Sequence, residues 1–430
     1  MKRNNLTVML VSMLLSACGG GGDSGTGDTS IITTGRFLDS AVEGLNYHAT
    51  TSGLSGVTNA RGEFQYKTGM PYGNSDPVSF SVGRVAMGRV LTAWKHTGSY
   101  ARVSQQLYAT VFTPGSLISN ASSNSYTPEH VARFLMMLDA DGDADNGITI
   151  SQAVQADALV WPDVDFSFFR SDDFASQPAI TTIIDSLNSL ASGVPQPVAL
   201  PGASAASAHL QVTFRCTMGG GYSGTWQGNY VTSGSLSGNW YAGIDPITNA
   251  MLFLKSEPGT LILKLNFPIV TTAQGFEPYF SGQRVFGTNT VFEWSGQVAL
   301  PSVFWAEFND TRSGGNTGTG VIQGNKQEVT LSPGDSGTTY HGVLMDLANN
   351  DSFIAPYSIV IDGTAVTGNG SNLADNTNFT ISGTVSGTAF NATTSVGHVI
   401  TGQLTHNGRT LEASYSMGGL SGTFNACREM

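Results

Sequence analysis

Charged side chains are scarce in this chain of 430 residues, because Asp, Glu, Lys and Arg together make up only 12% of it. Soluble domains typically carry about 25%. The charge that is present is unbalanced, with a formal net charge of -12, and the chain has no basic run. The composition therefore argues against nucleic acid and anionic lipid headgroups as partners.

Long hydrophobic runs are also missing, and no stretch is long and apolar enough for a transmembrane helix. The most apolar segment, residues 6–15, follows the basic pair Lys2 and Arg3 and precedes the small residues Ser16 and Ala17. A basic start, a short apolar run and small residues are the pattern of a secretory signal. We therefore predict a signal peptide over residues 1–17.

The end of this signal, Leu15-Ser16-Ala17-Cys18, resembles the lipobox of bacterial lipoproteins. The resemblance implies cleavage before Cys18, a diacylglycerol group on its sulfur and acylation of its new amine. A Gly/Ser-rich tether over residues 18–30 follows, and Gly19 after the cysteine implies the outer membrane in Gram-negative lipoproteins. Several acyl chains anchor a protein stably in a bilayer. We expect a lipid-anchored protein that faces the periplasm or the exterior; an ordinary signal peptide with a chance cysteine is the alternative.

Cysteine is rare, with three residues in all. If Cys18 carries lipid, Cys216 and Cys427 remain as a pair in an oxidising compartment, where disulfides persist. We predict a disulfide between them, with two free thiols as the alternative. No CxxC or Cys/His cluster indicates zinc or a redox site.

Glycine, by contrast, is abundant at 53 residues, and the pattern of short alternating segments with turn residues predicts a mainly β protein. We expect a small antiparallel β-sandwich over residues 31–99, a helical segment with an acidic loop over 100–192, a linker over 193–208, and a large antiparallel β-barrel or sandwich over 209–430. Thr127-Pro128 marks the start of one helix, and the stripe from Ile180 to Leu190, ending at Gly193, marks a second.

The C-terminal segment is predicted to contain only strands and turns. Its first strand is assigned to the alternating positions Leu210, Val212, Phe214 and Cys216, and Asn407-Gly408 predicts a hairpin turn between Val399–Leu404 and Thr410–Tyr415. If the barrel closes, its first and last strands are neighbours, which would bring Cys216 close to Cys427.

Two resemblances support this organisation. Gly56-Val57-Thr58 and Gly62-Glu63-Phe64 resemble the Gly-x-Thr and Gly-x-Phe steps of carboxypeptidase regulatory-like, transthyretin-type modules of bacterial surface proteins. That resemblance implies a β-sandwich without catalytic residues. The closing segment, residues 418–428, is similar to the last strand of the β-barrel lobes in host-factor-binding surface lipoproteins such as transferrin-binding protein B.

The acidic loop is the most chemically specific segment. Asp139, Asp141, Asp143 and Asp145 alternate with small residues, and carboxylates converging in a turn suit Ca²⁺. The loop resembles an EF-hand but lacks the glycine at its sixth position and the glutamate at its twelfth. We predict a weak structural calcium site, with a solvated acidic turn as the alternative.

Other candidates are weaker. Gly334-Asp335-Ser336-Gly337 matches the nucleophile tetrapeptide of chymotrypsin-like proteases but lacks the following Gly-Pro, so we interpret it as a turn. Asp163 and Asp165, beside Trp161, are possible paired carboxylates for glycoside cleavage, although packing is the favoured role. His130, in the first turn of the first helix, is predicted to lie at the surface.

Aromatic residues are enriched in the C-terminal half, and we expect them to be barrel core instead of an exposed contact platform. They are Tyr222, Trp226, Tyr230, Trp240, Tyr241, Trp294 and Trp305. The favoured function is a surface-exposed lipoprotein that binds or adheres to an unknown protein or glycan without catalysis. The alternatives are a hydrolase acting on carbohydrate and a structural envelope protein.

Overall fold

The structure is a computed structural model that describes most of the chain between residues 30 and 429. The described residues are 30–69, 76–95, 106–108, 110–119, 126–167, 170–230, 234–248, 250–256, 261–267, 279–286, 290–299, 303–311, 317–331, 337–346 and 353–429. The predicted signal peptide and Cys18 lie outside the described residues.

Two small sheets form an N-terminal sandwich, which also takes in short strands beyond residue 99, at Val111–Phe112 and Ile148–Thr149, that pair in parallel with earlier ones. One has the strand order β10-β1-β5, the other β4-β3-β6-β7, and short pairs β2–β11 and β8–β9 flank them. The ring of Phe80 on β6 lies 5.0 Å from the rings of both Phe37 on β1 and Phe64 on β5, so the two sheets share one core. The strands are β1 Ile31–Phe37, β2 Val42–Glu43, β3 Asn46–Ala49, β4 Ser55–Val57, β5 Glu63–Thr68, β6 Val78–Val82, β7 Val85–Val90, β8 Ala93–Lys95, β9 Gln106–Tyr108, β10 Val111–Phe112 and β11 Ile148–Thr149.

Four helices pack against this sandwich and extend the same core. They are α1 Pro128–Met137, α2 Gln152–Asp157, α3 Ser171–Ala175 and α4 Pro178–Asn188, with short 3-10 turns at Pro114–Ser116, Ala144–Asn146 and Ala158–Val160. Helix α1 starts at Pro128 with Thr127 as its N-cap residue, as predicted. Helix α4 also follows the prediction but ends at Asn188 and not at Gly193.

The surface position predicted for His130 is wrong. Its side chain is fully buried, and its ring stacks on Phe174 of α3 with 4.3 Å between the centroids. Helix α3 covers this side of α1, a contact that the periodicity of α1 does not reveal.

Helix α5, Ala203–Met218, corrects a second prediction, because it replaces both the end of the predicted linker and the first predicted β-strand. The small residues at its start are good helix formers. Ala206, Leu210, Thr213 and Thr217 recur at helical spacing and are buried. The alternating pattern from Leu210 to Cys216 is therefore compatible with a β-strand and with an α-helix. Packing against α1 stabilises the helix.

The segment after α5 contains two β bodies where one was predicted. The first is an eight-stranded sheet in the order β15-β14-β13-β12-β19-β18-β17-β16, in which neighbouring strands are antiparallel. Tyr222, Trp226, Trp240, Tyr241, Trp294 and Trp305 are all buried, which confirms the expectation of core aromatics, and Tyr230 is half-buried. The strands are β12 Gly220–Tyr230, β13 Gly234–Ile244, β14 Ala250–Ser256, β15 Leu261–Phe267, β16 Tyr279–Phe286, β17 Thr290–Ala299, β18 Val303–Thr311 and β19 Thr317–Lys326.

The second body is the C-terminal barrel, a closed antiparallel barrel of eight strands. It closes where β20 pairs with β27, between Tyr340↔Arg428 and Met345↔Thr423. The predicted hairpin is present: β25 pairs with β26 up to Thr405↔Thr410, and the turn takes positive φ at His406, Asn407 and Gly408. The strands are β20 Thr338–Met345, β21 Ile354–Asp362, β22 Ala365–Ser371, β23 Asn378–Ser386, β24 Ala389–Thr394, β25 Val399–Thr405, β26 Thr410–Met417 and β27 Leu420–Arg428.

The barrel packs closely on the outer side of the β12–β19 sheet. Tyr241 and Met251 of the sheet share a small apolar cluster with Val343 and Met345 of the barrel. Gly243 lies so close to Met345 that a Cβ atom there would meet its sulfur at 2.3 Å, so a larger residue would require the Met345 side chain to move. The two β bodies are therefore in tight contact through small and apolar residues.

Candidate functional site

The first candidate site is a buried cluster of charges. It lies where the N-terminal domain, formed by the sandwich and helices α1–α4, meets α5 and the barrel. Nε2 of His209, on α5, lies 3.1 Å from Oδ1 of Asp39, and Nδ1 lies 3.1 Å from Oδ1 of Asp145 in the acidic loop. Arg409, from the β25–β26 turn, donates to the same Oδ1 of Asp145 at 3.0 Å and to Thr213 Oγ1 at 2.8 Å. Two carboxylates and two cationic side chains are thus in direct contact, and a third cation, Arg428, donates to the Asp145 carbonyl oxygen at 2.6 Å.

Burial and neighbouring charges shift the pKa values of this cluster in opposite directions. Burial and the charge of Arg409, whose Nη1 lies 2.9 Å from Nδ1, lower the pKa of His209, but Asp39 and Asp145 outweigh both and raise that pKa to about 9. Burial raises the pKa of Asp145, whereas its hydrogen bonds to His209 and Arg409 lower it, with a net shift below the ordinary value. His209 is therefore charged at neutral pH, and the cluster holds three parts of the chain together.

The acidic loop is arranged differently from the predicted four-carboxylate site. Asp141 accepts hydrogen bonds from the Asp143 backbone at 2.9 Å and from the Asn146 side chain at 2.9 Å. Asp143 accepts from the Asp145 backbone and from the Asn407 side chain of the barrel. Asp145 is directed away from the loop, towards His209 and Arg409. The loop therefore docks on the barrel through two of its four aspartates.

Asp139 occupies the base of the loop and is almost fully buried, with Oδ1 accepting from the Thr149 backbone at 2.9 Å. Burial raises its pKa to about 6, with smaller contributions from the Asp141 carboxylate. Within the described residues, no three His, Cys, Asp or Glu side chains are grouped as a metal site would require. Calcium binding by Asp139, Asp141, Asp143 and Asp145 therefore stays a prediction.

The predicted cysteine pair is present as a disulfide, Cys216–Cys427, with 5.5 Å between the Cα atoms. The predicted placement was wrong, because Cys216 lies on helix α5 and not on the first strand of the barrel. The bond instead fastens α5 to β27, the strand that closes the barrel.

The second candidate site is a groove on the outer wall of the barrel, with a volume of about 440 Å³. One side is formed by the connector, residues 327–331, which leads from β19 towards the barrel; the other is formed by β22, β23 and Ser395. Asn369 and Thr380 are cross-strand partners on its floor, and Ser395 Oγ accepts from the Thr380 backbone at 3.0 Å. We call this the connector groove.

The polar side chains of His341, Ser358 and Glu429 lie close together beside the connector groove. Nδ1 of His341 is 2.7 Å from Ser358 Oγ, and Nε2 is 3.7 Å from Glu429 Oε2, a Ser–His–Glu arrangement. However, Ser358 is 1% exposed and donates its hydroxyl proton to the Val329 carbonyl oxygen at 3.1 Å. His341 Nδ1 must then be the donor to Ser358, so it does not act as a base toward this hydroxyl. These residues hold the connector in place instead of forming an accessible nucleophile.

The remaining candidate residues from the sequence either make local structural contacts or lie outside the described residues. Trp161 is buried, and its indole N–H donates to Asp157 at 2.7 Å. Asp165 accepts from the backbone and hydroxyl of Ser167, which makes it a turn residue. Gly334, Asp335 and Ser336 lie outside the described residues.

Neither candidate site was predicted as a whole. Asp39, His209 and Arg409 are far apart in sequence, and no local pattern marks them as a cluster. One feature of the sequence does mark the connector groove: residues 364–405 contain a single Asp, Glu, Lys or Arg, namely Asp375.

Comparison with known proteins gives no family for this chain: no family model matches it, and no curated protein does. Two solved structures are weakly similar, each at 10% identity. Isotype 1 transferrin-binding protein B from serogroup B Neisseria meningitidis matches over 49% of this chain and 75% of its own, with a TM-score of 0.19. A DUF3598-family protein of unknown function from Nostoc punctiforme PCC 73102 matches over 51% of this chain and 98% of its own, with a TM-score of 0.20.

These similarities are too low to support an argument about function. In the described part of the chain, no helix has the length and apolar character needed to cross a membrane.

Proposed function

We propose that this chain is a lipid-anchored envelope protein that binds a ligand in the connector groove without changing it chemically. The observation that carries the proposal is the groove itself, a concave site of about 440 Å³ whose mixed apolar and polar lining includes six amide or hydroxyl side chains. Ligand sites are concave and place a small number of polar groups that orient the ligand. Such a site supports a role in binding or adhesion at a cell surface.

Hydrolysis of carbohydrate is less well supported by the same groove. Glycoside hydrolysis commonly uses a pair of carboxylic acids that flank the bond to be cleaved. The described lining of the groove includes one carboxylate, Glu328. The nearby Ser358 is buried and donates to a carbonyl oxygen, so it is not available as a nucleophile.

Ligand binding is tested by filling the groove. Full-length protein in mild detergent is screened by thermal shift against oligosaccharide and peptide libraries, together with Ser371→Trp, which fills the groove, and Ser421→Trp, a control at an exposed position on β27. We expect a ligand that raises the melting temperature of the wild type and the control but not of Ser371→Trp. Products released from that ligand would instead favour a hydrolase, and the absence of any ligand would favour a purely structural envelope protein.

The anchor is tested separately with Cys18→Ala. Lipidation supplies membrane affinity through the acyl chains, so the variant should move from the membrane pellet to the soluble fraction. A variant that remains with salt-washed membranes would contradict the proposed anchor.

A further inference from the structure

We infer that the connector groove and the outward face of strands β22–β25 bind a neutral polysaccharide, an inference that rests on the proposed function. The outward residues of these strands are mostly Thr, Ser, Asn and Gln, with the exposed Ala365, Ala389 and Val399 as apolar exceptions. The polar ones are Thr367, Asn369 and Ser371 on β22, Asn378, Thr380, Ser382, Thr384 and Ser386 on β23, Asn391 and Thr393 on β24, and Thr401 and Gln403 on β25.

The absence of charge on this face identifies the chemistry of the ligand. Residues 364–405 carry only Asp375, in the turn between β22 and β23, although the chain as a whole has a net charge of -12. His398 is buried among aromatic rings, and burial lowers its pKa, so it adds no positive charge at neutral pH. An acidic or basic ligand would find no complementary charge on these strands, and Glu328 on the connector is the one charged side chain in the described lining of the groove.

The residue types also distinguish a glycan from a protein partner. The energetically dominant residues of protein interfaces are enriched in Trp, Tyr and Arg. None of these residue types occurs on the outward face of β22–β25. Hydroxyl and amide groups instead exchange hydrogen bonds with ligands that are themselves rich in hydroxyl groups, as neutral sugars are.

The face is regular, which favours a polymer over a single sugar. Outward residues are aligned across strands, as in the row formed by the cross-strand pairs Thr367↔Ser382 and Ser382↔Thr393. A second row runs from Thr384 through Asn391 to Thr401. Because neighbouring strands lie about 4.8 Å apart, similar polar groups repeat at that interval across the face. A repeating ligand can use such a repeating surface.

The connector groove adjoins this surface at β22 and β23 and would hold one end of the ligand. Its floor residue Asn369 is the cross-strand partner of both Ser358, which holds the connector, and Thr380. The side-chain amides of Asn369 and Asn378 make no hydrogen bond within the described part of the chain, so their donors and acceptors are free for a ligand. One or two sugar units would fill the groove, while the chain continues over Ser382 and Thr393.

The test is affinity electrophoresis of the full-length chain in mild detergent. Native gels contain dextran, soluble starch, galactomannan or mixed-linkage β-glucan as neutral polymers, and alginate as an acidic one. We expect at least one neutral polymer to retard the wild type and alginate not to. Asn369→Ala with Thr380→Ala should weaken retardation by about tenfold or more, given roughly one hydrogen bond lost per residue. Thr338→Ala, an exposed threonine on β20, is the control and should not change it.

The extended face is tested by polymer length. Ser382→Ala with Thr393→Ala should weaken binding of the long polymer several-fold but leave binding of its short oligosaccharide unchanged. Retardation by no neutral polymer, or retardation that the Asn369→Ala, Thr380→Ala variant does not alter, overturns the inference. A peptide or alginate ligand that Ser371→Trp abolishes would overturn it while leaving the proposed function intact.

Discussion

The imidazole of His209 lies 3.1 Å from the carboxylate of Asp39, and this ion pair joins helix α5 to the turn that follows strand β1. Asp39 is fully buried, and its oxygens accept no hydrogen bond in the described part of the chain, so His209 supplies its close positive partner. Removing one member of a buried pair leaves an uncompensated charge. The docking of the N-terminal domain should therefore depend on His209.

We predict that His209→Ala lowers the free energy of unfolding by about 3 kcal/mol, because it leaves Asp39 buried without its nearest cation. Urea denaturation followed by fluorescence measures this change. His48→Ala is the matched control, since His48 is exposed on β3, and it should stay within about 0.5 kcal/mol of the wild type. Asp39→Ala with His209→Ala should recover part of the loss; a fully additive double variant would show that the pair does not interact.

The stability of the protein should fall in mildly alkaline solution. The pKa of His209 rises from 6.5 to about 9 on folding, so its contribution is complete below about pH 6.5 and is lost as the pH rises through about 9. The loss amounts to at most about 3 kcal/mol. Urea midpoints measured between pH 6 and pH 10 test this, and the decline should be much smaller in His209→Ala. Equal slopes in the two proteins would assign the decline to other groups.

Reduction of the disulfide should destabilise the contact between α5 and the barrel. Cys216 and Cys427 are 211 residues apart in sequence, and closing a loop of that length contributes up to about 5 kcal/mol in the chain-entropy model. Cys216→Ser with Cys427→Ser should therefore lower the melting temperature, and dithiothreitol should lower that of the wild type but not of the variant. Two thiols that react with an alkylating reagent in the unreduced, folded protein would contradict the bond.

Calcium should stabilise the protein modestly if the acidic loop binds it. The missing bidentate glutamate predicts a dissociation constant of ~10⁻⁴ M or weaker, so millimolar Ca²⁺ would add roughly 1–2 kcal/mol. The melting temperature should rise with Ca²⁺, less with Mg²⁺, and not at all in Asp141→Ala with Asp143→Ala.

The calcium experiment needs a metal-free reference, because Asp143 also contacts Asn407 of the barrel. Each protein is therefore compared with itself in EDTA. Asn407→Ala removes the same contact but keeps the carboxylates, so it should still respond to Ca²⁺. No response in the wild type by calorimetry would leave the loop as a docking element alone.

Local patterns in the sequence predicted local structure well. Thr127-Pro128 marked the start of α1, and Asn407-Gly408 marked a turn whose residues adopt positive φ, because both signals depend on backbone chemistry within a few residues. The mainly β class and the burial of Trp226, Trp240, Trp294 and Trp305 followed from composition and alternation in the same way.

Features that depend on packing between distant segments were not predictable. A stretch such as Leu210 to Cys216 fits both a strand and one side of a helix, and contact with α1 decides between them. The contact between Arg409 and His209 depends on both the closed barrel and the position of α5, and the spacing of the two residues in the sequence does not reveal it.

Helix α5 connects three parts of the molecule, where the end of a linker and a β-strand were expected. Ala206 and Leu210 pack with Ala132 of α1, Met218 belongs to the core of the β12–β19 sheet, and Cys216 is bonded to the barrel. A cut or insertion within this helix would damage all three bodies at once. The N-terminal domain and the barrel are therefore poor candidates for exchange as separate modules, and divergence along this chain should preserve α5 while the outward faces of the strands vary.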